Sequence, residues 1–201
     1  MAEVQLNTFE IKQALHHDAE FFIQFFLHEE LEFPVPEFHK EIFYEMTDAE
    51  VDRLCLAIPR AHAKTTLAKL AAVWYFAFSP WRFIVYLSNT VSVAIPAVND
   101  IVAFMESPNF QAVFGPIEWI IKRDGTGLYK FNFMGKTCIL KAFGSDQQVR
   151  GINVDNERPQ LAIVDDLEDN KNIANENLFM QLKRNFFGPF LKALNPRNYG
   201  S

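Results

Sequence analysis

The sequence predicts an α/β fold, in which a mainly parallel central sheet is flanked by helices and preceded by further helices. Two apolar runs, at residues 53–58 and 161–164, have the length and composition of strands buried in a parallel sheet. A third such run lies at residues 82–88, and segments with helical periodicity separate the runs. This alternation is typical of sheets whose parallel strands are joined by right-handed crossovers.

The composition is that of one large or two small globular domains. The chain has 201 residues, 49% of them hydrophobic and 21 of them Phe, which is enough for a sizeable core. No apolar run reaches the ~18 residues of a membrane span, and no basic stretch precedes an apolar one near Met1. Cys55 and Cys138 lie in strand-like runs and are expected to be buried, reduced thiols. These features predict a cytosolic protein without a membrane partner.

The net charge of the chain argues against a protein that wraps duplex DNA by itself. Its formal net charge is −6, whereas a protein that wraps duplex DNA by itself normally presents a basic surface. Local contacts to DNA inside a larger ring remain compatible with this charge.

The first 50 residues are predicted to form an N-terminal helical segment. Asn7 and Glu10 have the spacing of a capping box, and apolar residues then follow at helical intervals in one helix to about residue 30. The Phe-Pro-Val-Pro run at residues 33–36 ends it, and a short helix follows over residues 37–46.

Residues 51–201 are predicted to form the core of the fold. A buried strand at residues 53–58 precedes a helix from Lys64 to Ser79, and the strand at residues 82–88 precedes a second helix that contains Pro96. The remaining expectations are an irregular stretch at 109–127, a hairpin over 128–143 turning at Gly135, a buried strand at 161–164 and a helix over about 173–194.

Residues 59–66, Pro-Arg-Ala-His-Ala-Lys-Thr-Thr, have the layout of a phosphate-binding loop that opens a helix. In such loops backbone N–H groups and the helix N-terminus hold phosphate oxygens; here Lys64 would reach the terminal phosphates and Thr65 would bind Mg²⁺. The usual pattern is Gly-x4-Gly-Lys-Ser/Thr, and Ile58 and Ala63 stand at its two glycine positions. An ordinary capped helix can begin with the same Lys-Thr-Thr, so the loop alone leaves both interpretations open.

The acidic residues after the run at 161–164 favour the nucleotide interpretation. Asp165 ends a predicted parallel strand, and the carboxyl ends of such strands form the edge where α/β proteins bind ligands. It is predicted to hold Mg²⁺ together with Thr65. Either Asp166 or Glu168 would orient or deprotonate the attacking water. The alternative is that Asp166 or Glu168 caps the following helix.

Four further residues are candidates for contacts with a nucleotide. Arg60 lies inside the loop and would contact the γ-phosphate, unless it pairs with a surface carboxylate. Arg150, beside Gly151, would reach a neighbouring subunit's nucleotide as an arginine finger, or else be solvated. His39 is a candidate adenine contact, with a structural role as its alternative. His62 is expected to contribute its backbone N–H rather than its ring.

Together these motifs resemble the ATPase domain of the large terminase subunit, the DNA-packaging motor of tailed bacteriophages. That family tolerates a Pro-Arg-x-x-x-Lys-Ser/Thr loop, which residues 59–65 match. Residues 143–151 and 158–168 are similar to its Arg-Gly and acidic-strand region. Pro-Glu-Phe-His at residues 36–39 aligns with its adenine-side motif, where Gln is common. The resemblance spans about residues 34–170.

The resemblance implies a P-loop NTPase fold of the ASCE type that hydrolyses ATP with Mg²⁺ and translocates double-stranded DNA into a procapsid. It implies the portal protein and the small terminase subunit as partners, and a homo-oligomeric ring in the host cytoplasm in which Arg150 acts in trans. Family members continue into a coupling motif and usually a nuclease domain, so we expect an N-terminal piece without nuclease activity. The alternatives are a helicase or other DNA translocase, and a non-hydrolysing P-loop assembly module.

Overall fold

The computed structural model describes residues 7–29, 31–59, 61–122, 125–145, 147, 152–167, 180, 184, 188 and 190–194. The chain divides into two compact units. The first comprises Met1–Ser79 and Ala103–Pro116, and the second comprises Pro80–Val102 and Ile117–Ser201. The fold is mixed α/β: described helices make up the first unit, whereas the strands of the sheet all belong to the second.

The elements follow one another along the chain in an order close to the predicted one. The helices are α1 (Thr8–His17), α2 (Ala19–Leu27), α3 (Glu37–Thr47), α4 (Lys64–Phe78), α5 (Val91–Glu106), α6 (Pro108–Phe114) and α7 (Leu191–Ala193). The strands are β1 (Phe83–Ser88), β2 (Glu118–Ile121), β3 (Leu128–Phe133), β4 (Lys136–Gly144) and β5 (Leu161–Val164). Within the described residues, none of the helices has both the length and the apolar character required to cross a bilayer.

The core of the first unit is aromatic. The ring of Phe22 on α2 stacks on that of Phe43 on α3, with centroids 5.2 Å apart, and lies 5.0 Å from that of Phe26. The apolar side chains of α4 are buried over almost its whole length. The Tyr75 hydroxyl of α4 donates to the main-chain oxygen of Met46 at 2.9 Å, which joins α4 to the end of α3.

The N-terminal helical segment is two helices, so the prediction of one continuous helix is wrong at Asp18. Asp18 has an extended backbone (φ −115°, ψ 105°), and its carboxylate accepts a hydrogen bond from the N–H of Phe21. An Asp in this position is a strong N-cap, so it begins a new helix in preference to continuing the previous one. The capping box of Asn7 and Glu10 is confirmed.

The sheet of the second unit has five strands in the order β2-β3-β4-β1-β5. β1 pairs in parallel with β4 and with β5, whereas β2–β3 and β3–β4 are antiparallel. The α/β class is therefore confirmed, and the sheet is mixed. The hairpin of β3 and β4 turns at Met134–Gly135, where both φ angles are positive, as in the tight turns that match strand twist.

Helix α5 lies on one face of this sheet. The Tyr129 hydroxyl of β3 donates to the side-chain oxygen of Asn99 at 2.5 Å. A Cβ atom added at Gly127 would lie 2.6 Å from the Cβ of Ala142 and 2.9 Å from the Cγ1 of Ile95. The absence of a side chain at Gly127 therefore lets the backbone pass between α5 and β4.

Two stretches differ from the predictions. Residues 53–58 contain no strand, Leu54 is 41% exposed and Cys55 is exposed, although Cys138 is buried as expected. An apolar run forms a strand only where a neighbouring edge accepts its N–H and C=O groups. Residues 109–127, expected to be irregular, include most of α6 and all of β2. The helix predicted over residues 173–194 lies mostly outside the described residues. The described helix α7, Leu191–Ala193, lies near the end of this range.

Candidate functional site

Two residues of the loop before α4 have left-handed backbone angles, which glycine adopts most readily. Ala61 has a φ of 65°, and Ala63, the N-cap residue of α4, has φ 54° and ψ 16°. A non-glycine residue in this left-handed region costs about 1–2 kcal/mol. Ala63 is the position of the second glycine in the usual phosphate-loop pattern, and it adopts the conformation that a glycine allows.

The first turn of α4 follows this loop directly. Its opening residues Lys64, Thr65 and Thr66 are half-buried, while the loop at residues 61–63 is exposed, as is Pro59. The first N–H groups of a helix have no intrahelical acceptor, and the helix dipole favours an anion there. This turn carries no acidic side chain, and Ala63 provides no side-chain cap. Its composition is therefore suited to a phosphate group.

The predicted adenine-side residue lies against this loop. The Nε2 atom of His39, in the first turn of α3, is 3.1 Å from the main-chain oxygen of His62. The ring of Phe38 lies 4.0 Å from that of His39 and 5.8 Å from that of His62, measured between centroids. Phe38 is 40% exposed. The three rings form an aromatic cluster, Phe38–His39–His62, within the first unit, in which Phe38 and His62 are exposed and His39 is half-buried.

Asp165 is held at the carboxyl end of β5 by bonds to both its side chain and its main chain. It is 7% exposed, and its Oδ2 accepts a hydrogen bond from the Tyr86 hydroxyl at 3.0 Å. Its N–H donates to the oxygen of Leu87 at 3.0 Å, and the Ser88 hydroxyl donates to its main-chain oxygen at 2.6 Å. Parallel pairing of β1 with β5 brings these residues together across 77 to 79 positions of sequence.

Asp166 has a left-handed backbone, with a φ of 47°, and is exposed. Its main-chain oxygen accepts from the N–H of Asn89 at 3.1 Å, and the Ser145 hydroxyl donates to the oxygen of Asn89 at 2.8 Å. The ends of β1, β4 and β5 are thus linked at one edge of the sheet. Non-glycine residues with such angles are often found at functional sites.

The electrostatics of this edge keep the phenol of Tyr86 neutral. Burial is the main cause that raises the pKa of Tyr86, and the nearby Asp165, Asp166 and Asp100 carboxylates raise it further. The phenol therefore remains a proton donor at neutral pH. The edge offers oxygen ligands, the type that Mg²⁺ prefers.

The donor chemistry fits a nucleotide-bound Mg²⁺. The described residues include no group of three or more His, Cys, Asp or Glu side chains that could hold a metal ion. Mg²⁺ bound with a nucleotide needs only one or two protein oxygens, because phosphates and waters complete its octahedron. Asp165 offers one such oxygen within the second unit, and Thr65 is the hydroxyl that the sequence predicts as the other donor. Thr65 belongs to the first unit and Asp165 to the second.

Three predicted site residues, Arg60, Arg150 and Glu168, lie outside the described part of the chain. The sequence analysis missed Phe38 and the two residues whose hydroxyls bond to Asp165, Tyr86 and Ser88. A signal for Tyr86 was present, since a tyrosine inside a wholly apolar buried strand needs a partner for its hydroxyl.

Comparisons of the chain with family models, with curated proteins and with solved structures found no match. The resemblance to the terminase family therefore depends on the sequence motifs described above.

Proposed function

We propose that this chain is an ATPase motor domain of the terminase large-subunit type, with a P-loop NTPase fold of the ASCE type. In this role it hydrolyses ATP with Mg²⁺ to drive double-stranded DNA into a procapsid. The observation that carries the proposal is the loop before α4, where Ala61 and Ala63 take left-handed backbones and Lys64 begins a helix of 15 residues. Asp165, buried at the end of a parallel strand, supports it independently.

The loop before α4 would bind the phosphates of the nucleotide, and Asp165 at the acidic edge would contribute to binding its metal ion. Residues 59–66 would hold the triphosphate through N–H groups and the Lys64 ammonium. Thr65 and Asp165 would hold Mg²⁺, which neutralises charge on the phosphate oxygens when bound. The Phe38–His39–His62 cluster offers ring faces against which an adenine can stack.

The hydrolytic step requires a carboxylate and cations. Asp166 or Glu168 would orient the water and accept its proton. Arg60 and Arg150 would stabilise the charge that develops on the transferred phosphoryl group. A finger supplied in trans contributes ~10³–10⁵ in rate, so Arg150 is the residue that would make turnover depend on assembly.

The partners follow from the same proposal. They are double-stranded DNA, the portal protein, the small terminase subunit and further copies of this chain in a ring in the host cytoplasm. With a net charge of −6, one subunit has no excess of positive charge with which to attract DNA phosphates. A ring would sum the weak contacts of several subunits around one duplex.

The test is nucleotide binding and phosphate release by the protein with Mg²⁺, DNA and partner subunits present. We expect Lys64→Ala to weaken ATP binding, and Asp165→Ala to reduce turnover by ~10²-fold or more. Matched controls are Lys69→Ala, a lysine on the same helix, and Asp155→Ala, an exposed carboxylate paired with Lys130. Wild-type turnover in both the Lys64 and the Asp165 variants would refute the assignment.

A second candidate function is a P-loop module that binds nucleotide without hydrolysing it and serves assembly. The observation in its favour is the exposure of residues 53–55 and 57, because in P-loop proteins a buried strand normally leads into the loop and fixes it. Tight ATP binding with no phosphate release, even with DNA and partner subunits present, would favour this candidate over the motor.

A further inference from the structure

We propose that Tyr86 positions the Asp165 carboxylate for metal binding, an inference that rests on the proposed function. Its hydroxyl donates to Oδ2 of Asp165 at 3.0 Å, and both side chains are almost fully buried. Tyr86 would touch neither nucleotide nor metal, so it is a positioning residue.

The surroundings of Tyr86 explain why a tyrosine stands in this strand. All six residues of β1 are buried, and five of them, Phe83 to Leu87, are hydrophobic. A phenylalanine would fill the same space without bringing a polar atom into the core, where an unsatisfied hydroxyl is costly. The hydroxyl of Tyr86 is satisfied by Asp165, and in return it holds one oxygen of that carboxylate in place.

The hydrogen bond from Tyr86 acts on the side chain of Asp165, which the bonds to its main chain do not orient. The bonds to Leu87 and Ser88 hold the main chain of Asp165, whereas rotation of the side chain sets where the carboxylate oxygens lie. A donor on Oδ2 restricts that rotation. Partners that orient a metal-binding carboxylate typically contribute 10–100-fold to metal affinity or activity.

The experiment compares two variants that each remove a single buried hydroxyl. Tyr86→Phe removes the bond to Asp165. Tyr129→Phe is the matched control, because Tyr129 is also buried in the sheet of the second unit and its hydroxyl bonds to Asn99. Mn²⁺ affinity is measured by electron paramagnetic resonance with ATP present, and binding of a fluorescent ATP analogue is measured in EDTA.

We expect Tyr86→Phe to weaken Mn²⁺ binding by about 10-fold or more while analogue binding in EDTA stays at the wild-type value. Tyr129→Phe should change neither quantity. A purely structural role for Tyr86 would lower both quantities together, and wild-type Mn²⁺ affinity in Tyr86→Phe would overturn the proposal.

Two further measurements separate the possible failures. If Asp165→Ala leaves Mn²⁺ affinity unchanged, the proposed function fails at its metal site. If Asp165→Ala weakens Mn²⁺ binding and Tyr86→Phe does not, only the positioning role fails.

Wild-type protein labelled with ¹³C at tyrosine Cζ gives a test without a variant. Addition of Mg²⁺ and ATP should shift the Tyr86 resonance and leave that of Tyr129 in place, and an unshifted Tyr86 signal contradicts the proposal.

Discussion

Ala63 has a backbone conformation that glycine adopts without strain. Its left-handed angles cost about 1–2 kcal/mol for a residue with a Cβ, whereas glycine loses about 0.4–1 kcal/mol more through the freedom of the unfolded chain. We therefore predict that Ala63→Gly leaves the free energy of unfolding unchanged or raises it slightly, measured by urea denaturation followed by circular dichroism.

The control for this prediction is a glycine substitution at Ala68, five residues after Ala63. Ala68 is inside α4, where glycine in place of alanine costs about 1 kcal/mol. If Ala63→Gly were as destabilising as Ala68→Gly, the left-handed strain assigned to Ala63 would be wrong. The sequence shows an alanine at the glycine position of the phosphate-loop pattern, but it does not show that the alanine accepts the glycine conformation.

His16 makes the stability of the first unit depend on pH. Its ring stacks on Trp74 with centroids 5.3 Å apart, and it lies 4.3 Å from the ring of His17. The loss of water around His16, followed by the charge of His17, lowers its pKa from 6.5. The unfolded chain therefore takes up the proton more readily, and stability is lost as pH falls through about 6.5.

We predict that the free energy of unfolding of the wild type falls more between pH about 7.5 and about 5.5 than that of His16→Phe. The phenylalanine keeps a ring against Trp74 and takes up no proton. The measurement is urea denaturation at the two pH values. Equal pH dependence in both proteins would show that His16 carries no such linkage.

At the level of elements, short sequence patterns predicted the features that depend only on residues adjacent in sequence. The Asn7 cap, the end of α4 at Ser79 and the tight turn near Gly135 were all predicted from short patterns. The strand predicted at residues 53–58 is absent, because an apolar run does not show whether a partner strand is present. The break at Asp18 was also missed, since its cap competes with a helical periodicity that continues on both sides.

The contact between α5 and the sheet depends on Gly127. Gly127 and Gly135 have similar positive φ angles, +77° and +74°, but only Gly127 has heavy atoms within 4 Å of an added Cβ. We predict that Gly135→Ala costs about 1–2 kcal/mol from backbone strain alone, and that Gly127→Ala costs about 1–3 kcal/mol more from overpacking against Ala142 and Ile95.

The measurement is the midpoint of urea denaturation for the two glycine variants side by side. Because the backbone strain is matched, the difference between them reports the packing of α5 on β4. Equal losses of stability in the two variants would contradict the close approach at Gly127.

At the level of the whole molecule, the candidate site was predicted to the extent that its residues are adjacent in sequence. Lys64 with Thr65, and Asp165 with Asp166, were found from short motifs. The Tyr86 hydroxyl that bonds to Asp165 belongs to a residue 79 positions away in sequence. This contact therefore depends on the parallel pairing of β1 with β5. No local pattern records that pairing.

The proposed ring makes a last prediction about assembled protein. If Arg150 completes a neighbour's site, a subunit with Lys64→Ala still supplies a finger, and a subunit with Arg150→Ala still binds ATP. Each variant alone should be inactive, and a mixture of the two should recover part of the wild-type turnover because some interfaces pair an intact loop with an intact finger. The loss in Arg150→Ala should be ~10³-fold or more, measured as phosphate release with DNA and partner subunits present.

The control is a double variant, Lys64→Ala with Arg150→Ala, mixed with the Arg150→Ala protein. This mixture contains no interface with both an intact loop and an intact finger, so it should stay inactive. Recovery in the first mixture and not in the second is specific to action in trans, because a finger acting within its own subunit gives no recovery in either. Wild-type turnover in Arg150→Ala alone would remove Arg150 from the mechanism and leave Arg60 as the only predicted cation besides Lys64.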